Sequence, residues 1–184
     1  MNAIALTVRA ISAFNELLGR LFSWFSLGIV LVCFSVVVLR YFFNTGFVWM
    51  QDLYVWMNGI MFTGIAGYVL MREGHVRVDI FYRPATLRRK AMIDLFGTFV
   101  FLLPFAFVVI YYSWNYVRSS WGISEQSGNA GGMHGLYVLK SFIIVFAVVI
   151  ALQGIAAALR ALLVLADKED LLPENLRYKT EELS

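Results

Sequence analysis

The sequence predicts an all-α membrane protein with four transmembrane helices and both termini cytoplasmic, preceded by an amphipathic interfacial helix. Three observations carry this. Of the 184 residues, 60% are hydrophobic and 15% are charged, whereas ordinary soluble domains hold about 45–50% apolar and roughly 25% charged residues. Four uncharged runs are each long enough to cross lipid. Lys and Arg are divided very unevenly between the two sets of connections. The net charge of +3 belongs to a membrane surface. No Lys/Arg run stands on a soluble surface, so no nucleic-acid partner is expected.

The runs are Leu21–Leu39, Leu53–Met71 and Ser141–Leu159, of 19 residues each, and Leu95–Val117, of 23. A hydrocarbon core of ~30 Å takes about 20 helical residues. Lipid offers backbone groups no hydrogen bonds, so each run must be a helix. With flanking residues the spans fall at about 21–43, 49–71, 91–117 and 136–164. The first run starts too late, is too long and lacks the small-residue cleavage site of a signal peptide, so it is expected to be retained.

Orientation follows from the cations. Arg9 and Arg20 precede the first span. Arg72, Arg77, Arg83, Arg88, Arg89 and Lys90 lie in the second connection, and Arg160, Lys168, Arg177 and Lys179 near the end. These twelve lie on one side, against Arg40, Arg118 and Lys140 on the other. The richer side is read as cytoplasmic. Tyr41, Phe42, Phe43 and Trp49, and then Tyr111, Tyr112, Trp114, Tyr116 and Trp121, crowd the opposite interface, as aromatic belts do.

Residues 1–20 place Ile4, Val8, Ile11, Phe14 and Leu18 on one helical stripe and Arg9, Ser12, Glu16 and Arg20 on another. This suits a helix in the headgroup plane; the alternative is an extension of the first span. Residues 21–166 make the transmembrane domain. Arg118–Gly135 contains five glycines and is read as turns outside the membrane, since glycine costs about 1 kcal/mol relative to alanine in a helix. Residues 167–184 are read as a charged, solvated cytoplasmic tail with room for a short helix.

The chemistry of catalysis is missing. His75 and His134 fall on opposite sides of the membrane. Cys33 is single and sits in an apolar run, so it reads as a small buried hydrophobe. No catalytic, cofactor or metal site is expected, and the chain does not read as an enzyme. Nor does it read as a complete transporter. Ion-coupled carriers keep ionisable groups inside the membrane and commonly use broken, repeated helices. Here Asp52 and Asp94 lie at helix ends, and the span interiors hold only Ser35, Asn58, Thr63, Thr98 and Gln153. Pro104 is positioned to kink the third span. Gly59, Thr63 and Gly67 recur at every fourth residue, as do Ala147 and Ala151, then Gly154 and Ala158. Such spacing lets helices approach closely in lipid, either within this bundle or against another subunit.

Several segments stand in an order that resembles a known family. Arg40-Tyr41-Phe42-Phe43 closes the first span and Trp49-Met50-Gln51-Asp52 opens the second. Arg72-Glu73-Gly74-His75-Val76-Arg77-Val78-Asp79 follows it. Ser124-Glu125-Gln126-Ser127 precedes the fourth span, and Lys140 lies early in that span. From about Ala13 to Ala166 the chain resembles the small membrane subunit of tripartite ATP-independent periplasmic (TRAP) transporters. Asp52 departs from the Glu that many relatives carry, with the charge preserved.

The resemblance implies a bacterial inner-membrane protein that pairs with a large membrane subunit and works with a periplasmic substrate-binding protein. Substrate, usually an organic acid, and sodium would be handled by the large subunit, so no cofactor is implied for this chain. A stand-alone homo-oligomeric carrier or channel is the rival reading. As subunit-interface or structural residues we single out Arg40, Asp52, Gly59, Gly67, His75 and Lys140, with Asp52 pairing with Arg40 across the short connection. Trp121 and Glu125 are candidates for docking the binding protein, or for closing the loop over the helix ends. Arg77, Arg88, Arg89 and Lys90 are candidates for contact with membrane lipids.

Overall fold

The structure is a computed structural model that describes residues 1–72, 82 and 85–178. Its helices are α1 (Asn2–Phe42), α2 (Val48–Gly64), α3 (Ala66–Met71), α4 (Leu87–Gly97), α5 (Leu103–Gly122) and α6 (Leu136–Leu165). A π-helical turn, Thr98–Leu102, joins α4 to α5, and two 3-10 turns, Glu169–Leu171 and Glu174–Leu176, follow α6. Among the described residues there is no strand, only an isolated antiparallel bridge between Gln126 and His134. Four helical stretches are long and apolar enough to span a membrane: α1, α2 with α3, α4 through α5, and α6.

α6 is the centre of the bundle. Of its most apolar window 39% is buried, against 0%, 17% and 11% for the first three spans. Each of the three buried clusters contains α6 residues. Leu163 packs with Ala5 and Val8 of α1, Ala161 and Val164 with Ala91 of α4, and Val149 and Ile150 with Ala66 of α3. The outer helices turn large side chains outward: Trp24, Phe34, Phe62, Phe101 and Phe107 are all more than 65% exposed. That is the expected inside-out arrangement when lipid, rather than water, covers the apolar surface.

Four features differ from the sequence reading. First, residues 1–20 and the first span form one unbroken helix of 41 residues, about 60 Å long at 1.5 Å per residue. Its buried face is Ala5, Val8, Ser12, Asn15 and Gly19. Ser12, expected on the polar stripe, is 4% exposed, and Phe14, expected on the apolar one, is 46% exposed. Small and amide side chains win the inner face because α1 lies close against other helices, while bulky groups are tolerated outside in lipid.

Second, the third span is longer than its uncharged run and contains the π turn. Pro104 lacks the N–H that an α-helix needs, and the turn of wider bonding falls just before it. A π turn is one recognised way to absorb such a disruption. Third, helix continues through Arg118–Gly122, the first part of the expected loop, and stops at the first glycine. Fourth, the tail is not simply solvated. Leu172 and Tyr178 are 1% and 7% exposed. They pack under α1, α4 and α6. Arg177 donates from Nε to the Leu172 carbonyl at 2.7 Å, and the Tyr178 amide donates to Glu169 at 2.7 Å, which folds this segment back on itself.

The small-residue spacing serves this bundle. A Cβ on Gly67 would meet Asn15 Cγ of α1 and the Val149 carbonyl of α6, each at 2.9 Å, and one on Gly59 would meet Leu139 of α6 at 3.1 Å. We therefore expect Gly67→Ala to destabilise the chain by about 1–3 kcal/mol through overpacking. Gly97→Ala, where a Cβ meets nothing within 4 Å, should be neutral or stabilising by up to ~1 kcal/mol. Thermal unfolding in detergent, monitored by helical circular dichroism, checks both; an unchanged Gly67→Ala melting temperature contradicts the packing argument.

Candidate functional site

At the end of the bundle where α1 stops and α2 begins, the segment between α5 and α6 is bound down by two ionised side chains. Asp52, in the first turns of α2, is 7% exposed. Its carboxylate accepts from the Asn129 side-chain amide at 3.0 Å and from the Met133 backbone N–H at 3.0 Å. The Ser127 hydroxyl stands beside them. The segment is shaped to deliver these donors. The Ser127 amide donates to the Met133 carbonyl at 2.9 Å and the Gly132 amide to the Asn129 carbonyl at 2.9 Å. Gly131 and Gly135 take φ of +75° and +102°, a region glycine enters without steric penalty. A Cβ on Gly132 would meet Ser127 Oγ at 2.6 Å, so the loop can close on Asp52 only with glycine there.

The second tether is Lys140, in the first turns of α6, paired with Glu125. The ammonium also lies 4.0 Å from the centre of the Tyr116 ring on α5, a cation–π geometry. The Lys140 and Ser120 side chains hold the Glu125 carboxyl below its ordinary 4.5. Next to this pair, Trp121 Nε1–H donates to Ser141 Oγ at 2.8 Å, and its ring lies 4.5 Å from that of Tyr137. Trp121 and Glu125 are thus both committed to α6.

Arg40 is exposed in the last turn of α1 and is not a partner of Asp52. The expected pairing across the short connection is replaced by contacts 77 and 81 residues away. Neutral donors from the loop reach the carboxylate, and backbone N–H groups solvate a buried charge without bringing a second ion that must also be desolvated.

Within the spans, Asn15 Nδ2–H donates to Gln153 Oε1 at 2.9 Å, joining α1 to α6. Such interhelical bonds are worth about 0.6 kcal/mol and up to ~1.7 in a membrane. Gln153 was visible as a polar residue inside a span; Asn15 was missed because it lies in the segment read as interfacial.

At the opposite end, where α1 begins and α6 stops, Asp94 accepts from the Tyr82 and Tyr178 hydroxyls at 3.0 and 2.8 Å. Arg160 lies 3.7 Å from the same oxygen and 4.2 Å from the centre of the Tyr178 ring. Burial pushes the Tyr178 phenol above its ordinary value, so it stays a neutral donor. The sequence flagged Asp94 as a helix-end acid but did not show its partners. Arg88 pairs with Asp167 at 2.6 Å, both well exposed, an arrangement worth little by itself. Lys90 lies 5.4 Å from the Tyr82 ring centre, and Arg89 is exposed. His75 and Arg77 lie outside the described residues. Among the described residues no three His, Cys, Asp or Glu side chains come together.

A family model described as "Tripartite ATP-independent periplasmic transporters, DctQ component" matches residues 29–164. No curated protein and no solved structure matches the chain.

Two outcomes are expected. Asp52→Asn weakens the charge-assisted bonds to the loop, each worth about 1.5–3 kcal/mol. Amide hydrogen exchange across residues 127–133 should rise about ten-fold or more; unchanged protection of Met133 contradicts the tether. The Glu125 carboxyl is depressed in the folded chain, so its contribution is present above its unfolded value and is lost as pH falls through the lower folded value. The melting temperatures of the native chain and Glu125→Gln should differ at pH 7 and converge as pH falls below the ordinary carboxylate range. A constant difference across that range contradicts the ion pair.

Proposed function

The chain belongs to the DctQ family, the small component of tripartite ATP-independent periplasmic transporters, and we propose that it braces the large transport subunit of a sodium-driven uptake system for organic acids. In this reading the large subunit carries the substrate and sodium sites, and a periplasmic binding protein delivers the substrate. The protein resides in the bacterial inner membrane with both termini cytoplasmic, as the uneven division of Lys and Arg between its connections favours.

One observation supports the bracing role above the others. Several polar groups among the described residues that a carrier could present to a pathway are instead engaged within this chain. Asp52 is closed by its loop, Lys140 by Glu125, and Asn15 by Gln153. A bundle tied in this way, with large apolar side chains turned outward, suits holding a moving partner in place. Its loop end offers a folded surface where a periplasmic protein can rest.

Reconstituted vesicles test this. Sodium-driven organic-acid uptake, with the binding protein and the large subunit present, should fall at least ten-fold when this chain is omitted. It should fall in the same direction with Asp52→Asn. Vesicles holding this chain alone should show no uptake. Transport by this chain alone would overturn the reading in favour of a homo-oligomeric carrier.

A further inference from the structure

A cavity of about 420 Å³ opens between α1, α3, the third span at its π turn, α6 and the tail. A second, of about 190 Å³, is lined by Arg9, Glu16 and Arg72 together with Pro173 of the tail. The two share Ser12, Met71, Asn175 and Leu176, so they adjoin there and are treated together as one recess. Much of its wall, including Arg9, Ser12, Asn175 and Leu176, lies outside the segment 29–164 that the family model matches.

The recess changes character along its length. The smaller part is charged, with two guanidinium groups and one carboxylate. Glu16 is bound by Arg20 at 2.7 Å and only loosely by Arg72, at 3.5 Å, and Arg72 is half exposed. The larger part is walled mainly by apolar side chains such as Leu70, Ile93 and Leu102. Its one carboxylate, Asp94, accepts two phenol hydrogen bonds and faces Arg160, which leaves no net charge for an ionic ligand. Arg160 and Gln153 both line it, and seven residues of α6 separate them by about 10 Å, a reach into the hydrocarbon layer.

Ser12 marks the junction. It lines both parts and is 4% exposed, and its hydroxyl has no hydrogen-bond partner among the described residues. A buried hydroxyl is normally bonded. An anion site, then an unanswered donor, then an apolar slot is the order of groups in a membrane lipid: phosphate, ester carbonyl, hydrocarbon. We propose that the recess holds one anionic phospholipid, with its phosphate at Arg9 and Arg72, a glycerol ester carbonyl accepting from Ser12, and one acyl chain in the larger cavity. Guanidinium groups bind phosphate well, and basic residues at a membrane surface favour anionic headgroups. The site rests on geometry alone and does not depend on the transporter reading.

The test uses the full chain, delipidated in detergent and titrated separately with phosphatidylglycerol, phosphatidylcholine and inorganic phosphate, with native mass spectrometry and thermal unfolding as readouts. One phosphatidylglycerol per chain should be retained, several-fold more tightly than phosphatidylcholine, and phosphate alone should leave the melting temperature unchanged. Ser12→Ala should leave the lipid-free melting temperature unchanged or higher, because it removes an unanswered hydroxyl, yet weaken phosphatidylglycerol binding roughly 3- to 10-fold. Ala157→Phe, which fills the larger cavity, should abolish retention with helical content preserved. Equal, multi-copy binding of both lipids that neither variant alters means ordinary surface lipid and overturns the proposal. A full thermal shift from phosphate alone also overturns it.

Discussion

A hydrocarbon layer cannot solvate a polar group, and this constraint arranges the molecule. Backbone groups meet it by forming helices. Side chains meet it by finding one another across the bundle. Asp52 reaches the loop before α6, Asn15 reaches Gln153, and Asp94 gathers two tyrosines and lies beside Arg160. Each pairing fixes one element against another. Together they fasten both ends and the middle of a four-span bundle.

Close approach follows from the same constraint. Lipid does not push apolar helices together as water does, so van der Waals contact and a few hydrogen bonds must hold them. α6 answers with small residues: Ala147, Ala156, Ala158 and Ala161 are 4% exposed or less. Gly67 admits both α1 and α6 to within contact. With small and amide groups drawn inward, the large aromatic and aliphatic groups face out. The result is a bundle with small residues at its helix contacts and many large apolar side chains exposed on the outer faces of its spans.

The four spans were legible because 19 or more uncharged residues in a row have no other stable structure in lipid. The turn chemistry of the loop was legible in its glycines, and only its onset was misplaced, by the five residues that α5 still holds. Other features were not legible, because they depend on which face a helix turns to its neighbours. Ser12 belongs to a charged stripe by local spacing and to the buried face of α1 in the bundle, where it is 4% exposed. Asp52 has a cation twelve residues before it in Arg40, yet its partners come from Asn129 and Met133. Single-sequence periodicity reports the contrast between polar and apolar residues. In a membrane helix the inner face is often the more polar one, so the contrast points outward. The tail misled for a simpler reason: its charges are evident, while Leu172 and Tyr178, which bind it to the bundle, are two among its twelve described residues.

The most direct measurement is purification of tagged chain from native membranes in nanodiscs, followed by mass spectrometry of what accompanies it. A large multi-span membrane protein in one-to-one ratio is the result this account predicts, since the chain belongs to a family of small transporter components. Recovery of the chain by itself, as a stable oligomer of identical copies, would contradict it.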